Sequence, residues 1–200
     1  MSKPKAIELS IDPYIDTEIF QTYGICIPTK TIDLGIKPTD EGDIQIDDEV
    51  ASRLIRNLHI LDSYEGDITI LLSTCGGNDY AMMAIYDAIK ECKNKVIIKC
   101  YGRCFSAGAF ILQAADVRLL HPFSRLMIHY GKADEDESKY EVRILDKKYE
   151  DVLFNSIIKK NPTFDRKRIK RMLRNDTYIS AQKSVELGFA DEIIYPKEKK

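Results

Sequence analysis

One stretch, Leu71 to Phe110, limits most strongly what this chain can become. It reads Leu-Leu-Ser-Thr-Cys-Gly-Gly-Asn, then a helical segment, then a strand-like segment, then Gly-Arg-Cys-Phe-Ser-Ala-Gly-Ala over residues 102–109. The pattern is strand, glycine turn, helix, strand and second turn, with Ser106 where the next helix begins. Two such turns at neighbouring strand ends leave backbone N–H groups unpaired. A carbonyl oxygen that becomes negative during acyl transfer needs donors held in place in advance. The expectation is that Ser106 is a nucleophile and that the two turns form its oxyanion hole.

The flanking sequence extends the pattern in both directions. Residues 1–14, with Pro4 and Pro13 and no clear period, read as a mobile arm, and Tyr23 to Leu34 as one or two short strands around Pro28. Pro38 to Gly42 reads as a turn. Asp47, Asp48 and Glu49 place negative charge at a helix start, and Val50, Leu54, Leu58 and Leu61 give that helix one apolar stripe. Ile68 to Leu72 is almost wholly apolar, as expected of a strand covered on both faces. Tyr80 to Cys92 is expected to be helical with Met83, Ile85, Ala88 and Ile89 inward, Val96 to Tyr101 a strand, and Ser106 to Ala115 a helix. Strands are expected at Val117 to Leu120 and Arg125 to His129. The alternation with short connections implies right-handed crossovers and a parallel sheet, with any site beyond the carboxyl ends of the strands. Gly76, Ser106 and His129 all fall at such ends. After a polar break over 131–138 with an acidic run at 134–137, a long amphipathic helix is expected to turn Tyr140, Ile144, Tyr149, Val152, Leu153 and Ile157 inward. A basic helix to about Leu173 precedes Asp176. Ser180 then caps a last helix closed by Gly188, and Asp191 to Tyr195 reads as a final strand.

Bulk composition narrows the functional classes. A net charge of −2, from 30 basic and 32 acidic residues, gives no global attraction to nucleic acid or anionic membrane. The basic cluster at Arg166, Lys167, Arg168, Lys170, Arg171 and Arg174 lacks interleaved stacking aromatics, so it reads as a solvated or subunit-facing helix surface. The longest nearly apolar run, Cys104 to Ala115, is too short to span a bilayer at about 20 residues. Five cysteines, with no Cys-x-x-Cys pair and no secretory leader, point to free thiols and a cytoplasmic protein. No metal is expected, since the 3 histidines are far apart in sequence. No cofactor is expected either, because neither Gly-x-x-x-x-Gly-Lys-Ser/Thr nor Gly-x-Gly-x-x-Gly occurs.

A serine hydroxyl is a weak nucleophile unless a base takes its proton and a third group orients the base. Ser106, His129 and Asp176 are the candidates for those roles. Each has a plainer reading: serine at a helix start as an N-cap, histidine at a strand end as a satisfied core residue, aspartate before Thr-Tyr-Ile as a turn residue. The glycines tip the balance, since Gly108 permits close packing at the helix start. The N–H groups of Ala107 and Gly76 are then the oxyanion donors. A Gly-x-Ser-x-Gly elbow is absent, because position 104 is Cys104, and a Ser-x-x-Lys dyad is absent at 106, because position 109 is Ala109.

Six blocks carry a resemblance. Thr74-Cys75-Gly76-Gly77, Ala84 to Ala88 (Ala-Ile-Tyr-Asp-Ala), Phe105 to Ala109 (Phe-Ser-Ala-Gly-Ala), Ser124 to His129 (Ser-Arg-Leu-Met-Ile-His), Asn175 to Ala181 and Glu186 to Asp191 occur in the order found in the Clp protease proteolytic subunit family, ClpP. The resemblance runs from about Ile32 to Ile194. It implies one domain over 1–200 in an α/β fold, the ClpP/crotonase-like spiral of ββα units, with a protruding helical handle at about 131–160. It implies Ser106 as nucleophile, His129 as general base and then acid, Asp176 as orienter of His129, and Gly76 and Ala107 as the oxyanion donors. It further implies a polypeptide substrate, homo-oligomeric rings that are heptameric and stacked in pairs, and a separate AAA+ unfoldase that uses the ATP. The family pattern differs here at three places. Ser-Pro-Gly-Gly is replaced by Thr74-Cys75-Gly76-Gly77, the Gln-Pro after the histidine by Tyr130-Gly131, and an arginine before the triad aspartate by Asn175. Such departures resemble divergent, phage-type members. The rival readings are a catalytically weak ring scaffold, a dedicated capsid-maturation peptidase, and an acyl-CoA enzyme of the same fold superfamily.

Overall fold

The computed structural model describes residues 13–34, 45–131 and 138–195. Two expectations, the turn at 38–42 and the acidic run at 134–137, fall outside them, as does all but the end of the expected arm. In chain order the elements are α1 (Pro13–Tyr23), β1 (Ile25–Cys26), β2 (Thr31–Leu34), α2 (Asp48–Asp62), β3 (Ile68–Thr74), α3 (Asp79–Glu91), β4 (Val96–Phe105) and α4 (Ala107–Leu112). They continue as β5 (Val117–Leu120), β6 (Arg125–Ile128), α5 (Lys139–Lys160), α6 (Arg166–Leu173), β7 (Thr177–Ser180), α7 (Ala181–Leu187) and β8 (Glu192–Ile193).

Local chemistry sets many of the boundaries. The Asp47 carboxylate accepts the Val50 N–H at 2.8 Å and starts α2. Asn78 Oδ1 accepts the N–H groups of Tyr80 and Ala81 and starts α3 right after the glycine turn. Ser180 caps α7, and Gly188 closes it with φ +99°.

The sheet runs β1-β2-β3-β4-β5-β8, parallel from β2 onward. The expected parallel sheet carries antiparallel pairs at two edges: β1 runs antiparallel to β2, and β7 antiparallel to β6. Strand β4 is longer than its apolar run predicts, and it divides the sheet. Its first half, through Cys100, pairs with β5, and Arg103 to Phe105 pair with β6 instead. The β3–β4 register shifts between Leu72 and Thr74, where residues 101–103 of β4 are exposed. At this fork β6, with β7 paired to it, branches from the main path of the same eight-stranded sheet.

The core is one cluster of buried residues, including Leu54, Leu58 and Leu61 of α2, Ile85 and Ile89 of α3, and Ile68, Ile70 and Leu72 of β3. Strand β3 alternates buried with partly exposed positions, so its second face is only half covered, contrary to the expectation from its apolar run. On α5 the buried residues are Tyr149, Glu150, Leu153, Ser156 and Ile157. Tyr140 and Ile144, expected inward, are 74% and 40% exposed, so the first turns of this helix project from the core. Helix α1 and strand β7 were not anticipated: α1 has a weak apolar period, and β7 is only four residues long. On α3 it is Met82 that is buried, while Met83 and Ala88 lie half-buried against the same cluster.

Candidate active site

The fork in β4 brings the three candidate residues together. Because β4 and β6 run parallel with Phe105 opposite Met127, Ser106 just past β4 lies beside the end of β6, and its N–H donates to Met127 O at 2.7 Å. Because β6 and β7 run antiparallel with Ile128 opposite Thr177, the residue after one strand adjoins the residue before the other. Those residues are His129 and Asp176. His129 Nε2 lies 2.9 Å from Ser106 Oγ, and His129 Nδ1 lies 3.4 Å from Asp176 Oδ1. The imidazole is largely buried, at 19% exposure, whereas the aspartate is 54% exposed.

The plain reading of Ser106 as an N-cap does not hold. Its hydroxyl makes no capping bond to the α4 backbone and meets the imidazole instead. Its backbone sits at φ +51°, ψ −116°, a region that costs a residue with a Cβ of order 1–3 kcal/mol. Several contacts hold it there. The Ser106 carbonyl accepts the Ala109 N–H at 2.9 Å and the Tyr149 hydroxyl at 3.1 Å. Tyr149 is stacked on Phe110 with centroids 5.4 Å apart, and burial pushes its phenol pKa far up, so it stays a neutral donor. Gly108 fits the role expected of it: a Cβ there would lie 2.5 Å from Thr74 Cγ2.

On the second turn, Gly76 lies against Ser106, since a Cβ on it would come 2.7 Å from Ser106 Cβ. Its N–H donates to Thr74 Oγ1 at 3.1 Å. The next residue, Gly77, bridges to Ile46. Ile46 N–H donates to Gly76 O and Asn78 N–H to Ile46 O, both at 2.7 Å, the pattern of a parallel bridge between Ile46 and Gly77. That pattern turns the N–H of Gly77 away from Ile46. Ala107 is the first residue of α4, where its N–H has no intrahelical acceptor.

Behind the site, α5 ties its parts to one another. Glu150, 6% exposed, accepts the Tyr130 hydroxyl at 3.0 Å and Arg166 Nη1 at 3.1 Å, with Lys170 Nζ at 3.8 Å. Burial first, and then the Glu150 carboxylate, push the Tyr130 phenol up to about 12. Tyr130 follows His129, its N–H donates to Leu173 O at 2.7 Å, and Arg166 and Lys170 belong to the helix that leads into Asp176. The basic helix read as a solvated face is thus partly committed to this clamp. A buried glutamate followed by an aspartate on a helix gave no such signal in the sequence.

Among the described residues there is no cluster of three or more side chains placed to hold a metal, and no helix long and apolar enough to cross a membrane. None of the five cysteines is in a disulfide. Cys104 is buried, consistent with a packing role, and desolvation raises its thiol pKa well above the usual range.

Comparison with known proteins is consistent with this geometry. The family model described as Clp protease matches residues 42–197. The chain is 32% identical over 156 residues to the chloroplastic ATP-dependent Clp protease proteolytic subunit 3 of Arabidopsis thaliana, covering 75% of this chain and 50% of that one. It is 30% identical over 156 residues to ATP-dependent Clp protease proteolytic subunit 1 of Gloeobacter violaceus, covering 75% of this chain and 79% of that one. Among solved structures, the ClpP1 N165D mutant from Listeria monocytogenes aligns with TM-score 0.74 and 24% identity, covering 86% of this chain and 95% of that one. The expected ClpP-like α/β fold is therefore the one present.

Proposed function

We propose, from the premise that the chain belongs to the Clp protease family, that it is a serine endopeptidase subunit with Ser106, His129 and Asp176 as its catalytic residues. One observation carries the assignment: an imidazole nitrogen 2.9 Å from a serine hydroxyl that caps nothing and sits at positive φ. As the Ser106 oxygen attacks the peptide carbonyl carbon, His129 Nε2 takes the hydroxyl proton, and the amide oxygen becomes an oxyanion. His129 then gives that proton to the departing amine, leaving an acyl group on Ser106. Water, deprotonated by the same nitrogen, releases it. Asp176 stabilises the imidazolium and holds its tautomer from the Nδ1 side. The N–H groups of Ala107 and Gly76 are the oxyanion donors, and Gly76 is the turn glycine that lies against Ser106.

The relatives are named as proteolytic subunits of ATP-dependent Clp proteases. We carry over from them a homo-oligomeric ring, a separate unfoldase that supplies the ATP-dependent work, and unfolded polypeptide as substrate. Paired heptameric rings and a cytoplasmic location belong to the same reading. The exposed first turns of α5 provide surface for contact between copies.

The test is covalent. Incubation with a fluorophosphonate should add one adduct mass per chain, and Ser106→Ala should show none. A wild-type chain in its assembled state that takes no label would overturn the peptidase reading in favour of a scaffold.

A further inference from the structure

An open pocket of about 410 Å³ lies where the end of α4, strand β5, the last turns of α5 and the start of β8 come together. One of its walls is a guanidinium that cannot swing. Arg118, its side chain 12% exposed, gives Nε and Nη2 to the Asp191 carboxylate at 3.2 and 2.5 Å. Its Nη1 donates to Gln113 Oε1 at 2.8 Å and to Gly188 O at 2.9 Å. A guanidinium carries five N–H donors, so one on Nη2 is left over. Against desolvation by burial, the hydrogen bonds and charge of Arg118 hold the Asp191 carboxyl below its usual pKa, so the pair is ionised and neutral as a unit. Ser156 of α5 is 6% exposed and lines the same pocket, and its hydroxyl has no hydrogen-bond partner among the described residues. Lys159 and Lys160, exposed at the rim, form no ion pair among the described residues. The remaining carboxylate, Asp116, accepts the Val96 N–H at 2.8 Å. Two ammonium groups against that one carboxylate leave the pocket positive.

We propose that this pocket binds a phosphate monoester with a polar, non-aromatic body, a sugar phosphate by chemical class. The donors decide the head group. The pocket offers the spare Arg118 N–H, the Ser156 hydroxyl and two lysine ammonium groups, and a phosphoryl group brings three strong acceptor oxygens to meet them. A carboxylate brings two. A buried hydroxyl without a partner is costly, and an acceptor oxygen on the ligand would supply that partner. Arg118 is already fixed by Asp191, Gln113 and Gly188, so little side-chain freedom is lost when an anion binds. The size and walls decide the body. The volume falls in the range of about 300–1,000 Å³ usual for small-molecule sites, which leaves room beyond the phosphoryl group. Ala115 is the one apolar residue lining the pocket, and no aromatic ring is there to stack a base. Hydroxyl groups suit such walls. The pocket stands at the C-terminal end of α4, whereas Ser106 precedes its N-terminal end, so binding here is separate from any chemistry at the serine.

Calorimetric titration of the full assembled chain with glucose 6-phosphate, glucose, gluconate and inorganic phosphate tests the assignment. Glucose 6-phosphate should bind saturably, one per chain, at least about 10-fold more tightly than gluconate or inorganic phosphate, and glucose should give no signal. Rising salt should weaken the binding. Ser156→Ala should weaken it about 10-fold, the loss of one hydrogen bond to a charged group, and the double variant Lys159→Gln, Lys160→Gln at least as much. Gluconate binding as tightly would overturn the choice of phosphate, and inorganic phosphate binding as tightly would overturn the sugar body. No saturable binding up to about 10 mM glucose 6-phosphate, or unchanged affinity in both variants, would overturn the site itself. The lysine variant alters exposed side chains only, so it decides even if Ser156→Ala folds poorly. A chain that fails to take a fluorophosphonate at Ser106 would leave this result untouched.

Discussion

The two contacts of His129 are built from unlike materials. Towards Ser106 everything is core: Cys104, Ala107, Ala109 and Ile128 are each at most 1% exposed, and the hydrogen bond is 2.9 Å. Towards Asp176 the site reaches the surface, with a half-exposed carboxylate at 3.4 Å just before a short edge strand. Ser106 and His129, the proposed nucleophile and base, are thus fixed by the packing that holds the sheet together. The orienting group is fixed by α5 and α6, through the clamp at Glu150. Such a division leaves the third residue open to adjustment by whatever covers it, while the first two cannot move without disturbing the fold.

The largest effect expected from breaking this contrast is on turnover. Asp176→Asn should slow hydrolysis of a fluorogenic peptide by about 10²-fold, short of the ~10⁴-fold seen where such an aspartate is buried, with the melting temperature unchanged. A loss near 10⁴ would show that the working assembly encloses Asp176 and would erase the contrast. Next is the core side. Gly108→Val drives side-chain atoms into Thr74, which is stiff at χ1 and 3% exposed, and should lower unfolding free energy by about 1–3 kcal/mol in urea titration. An unshifted midpoint would mean the packing around the nucleophile is looser than the contact at 2.5 Å requires. The smallest effect belongs to the clamp. Glu150→Gln keeps an acceptor for Tyr130 but removes the charge facing Arg166 and Lys170. It should cost about 1 kcal/mol of stability and lower kcat several-fold at constant KM. A change confined to KM would assign Glu150 to substrate binding instead.

Much of the central fold was legible because local signals there agree. The strand at 117–120 follows from Val117, Leu119 and Leu120, the helix start at Asp47 from its negative charge, the cap at Ser180 from residue type, and Gly188 from the need for a left-handed closing residue. The signals failed where an element takes its stability from partners distant in sequence. Strand β7 is four residues long and exists through β6. The first turns of α5 have an apolar spacing that suggests burial, yet Tyr140 is left 74% exposed.

The residue types at 106, 129 and 176, and the glycines beside them, were set by the sequence, because nucleophilic chemistry and close backbone approach admit few alternatives at each position. The hydrogen bonds of the glycine turn were not. A threonine hydroxyl two positions before Gly76 accepts the Gly76 N–H, and the next residue, Gly77, bridges to Ile46. Nor could the sequence show that Arg118 and Ser156, far apart along the chain, line one pocket. Both outcomes depend on how separately folded segments dock, which is decided by packing and hydrogen-bond competition across the whole chain.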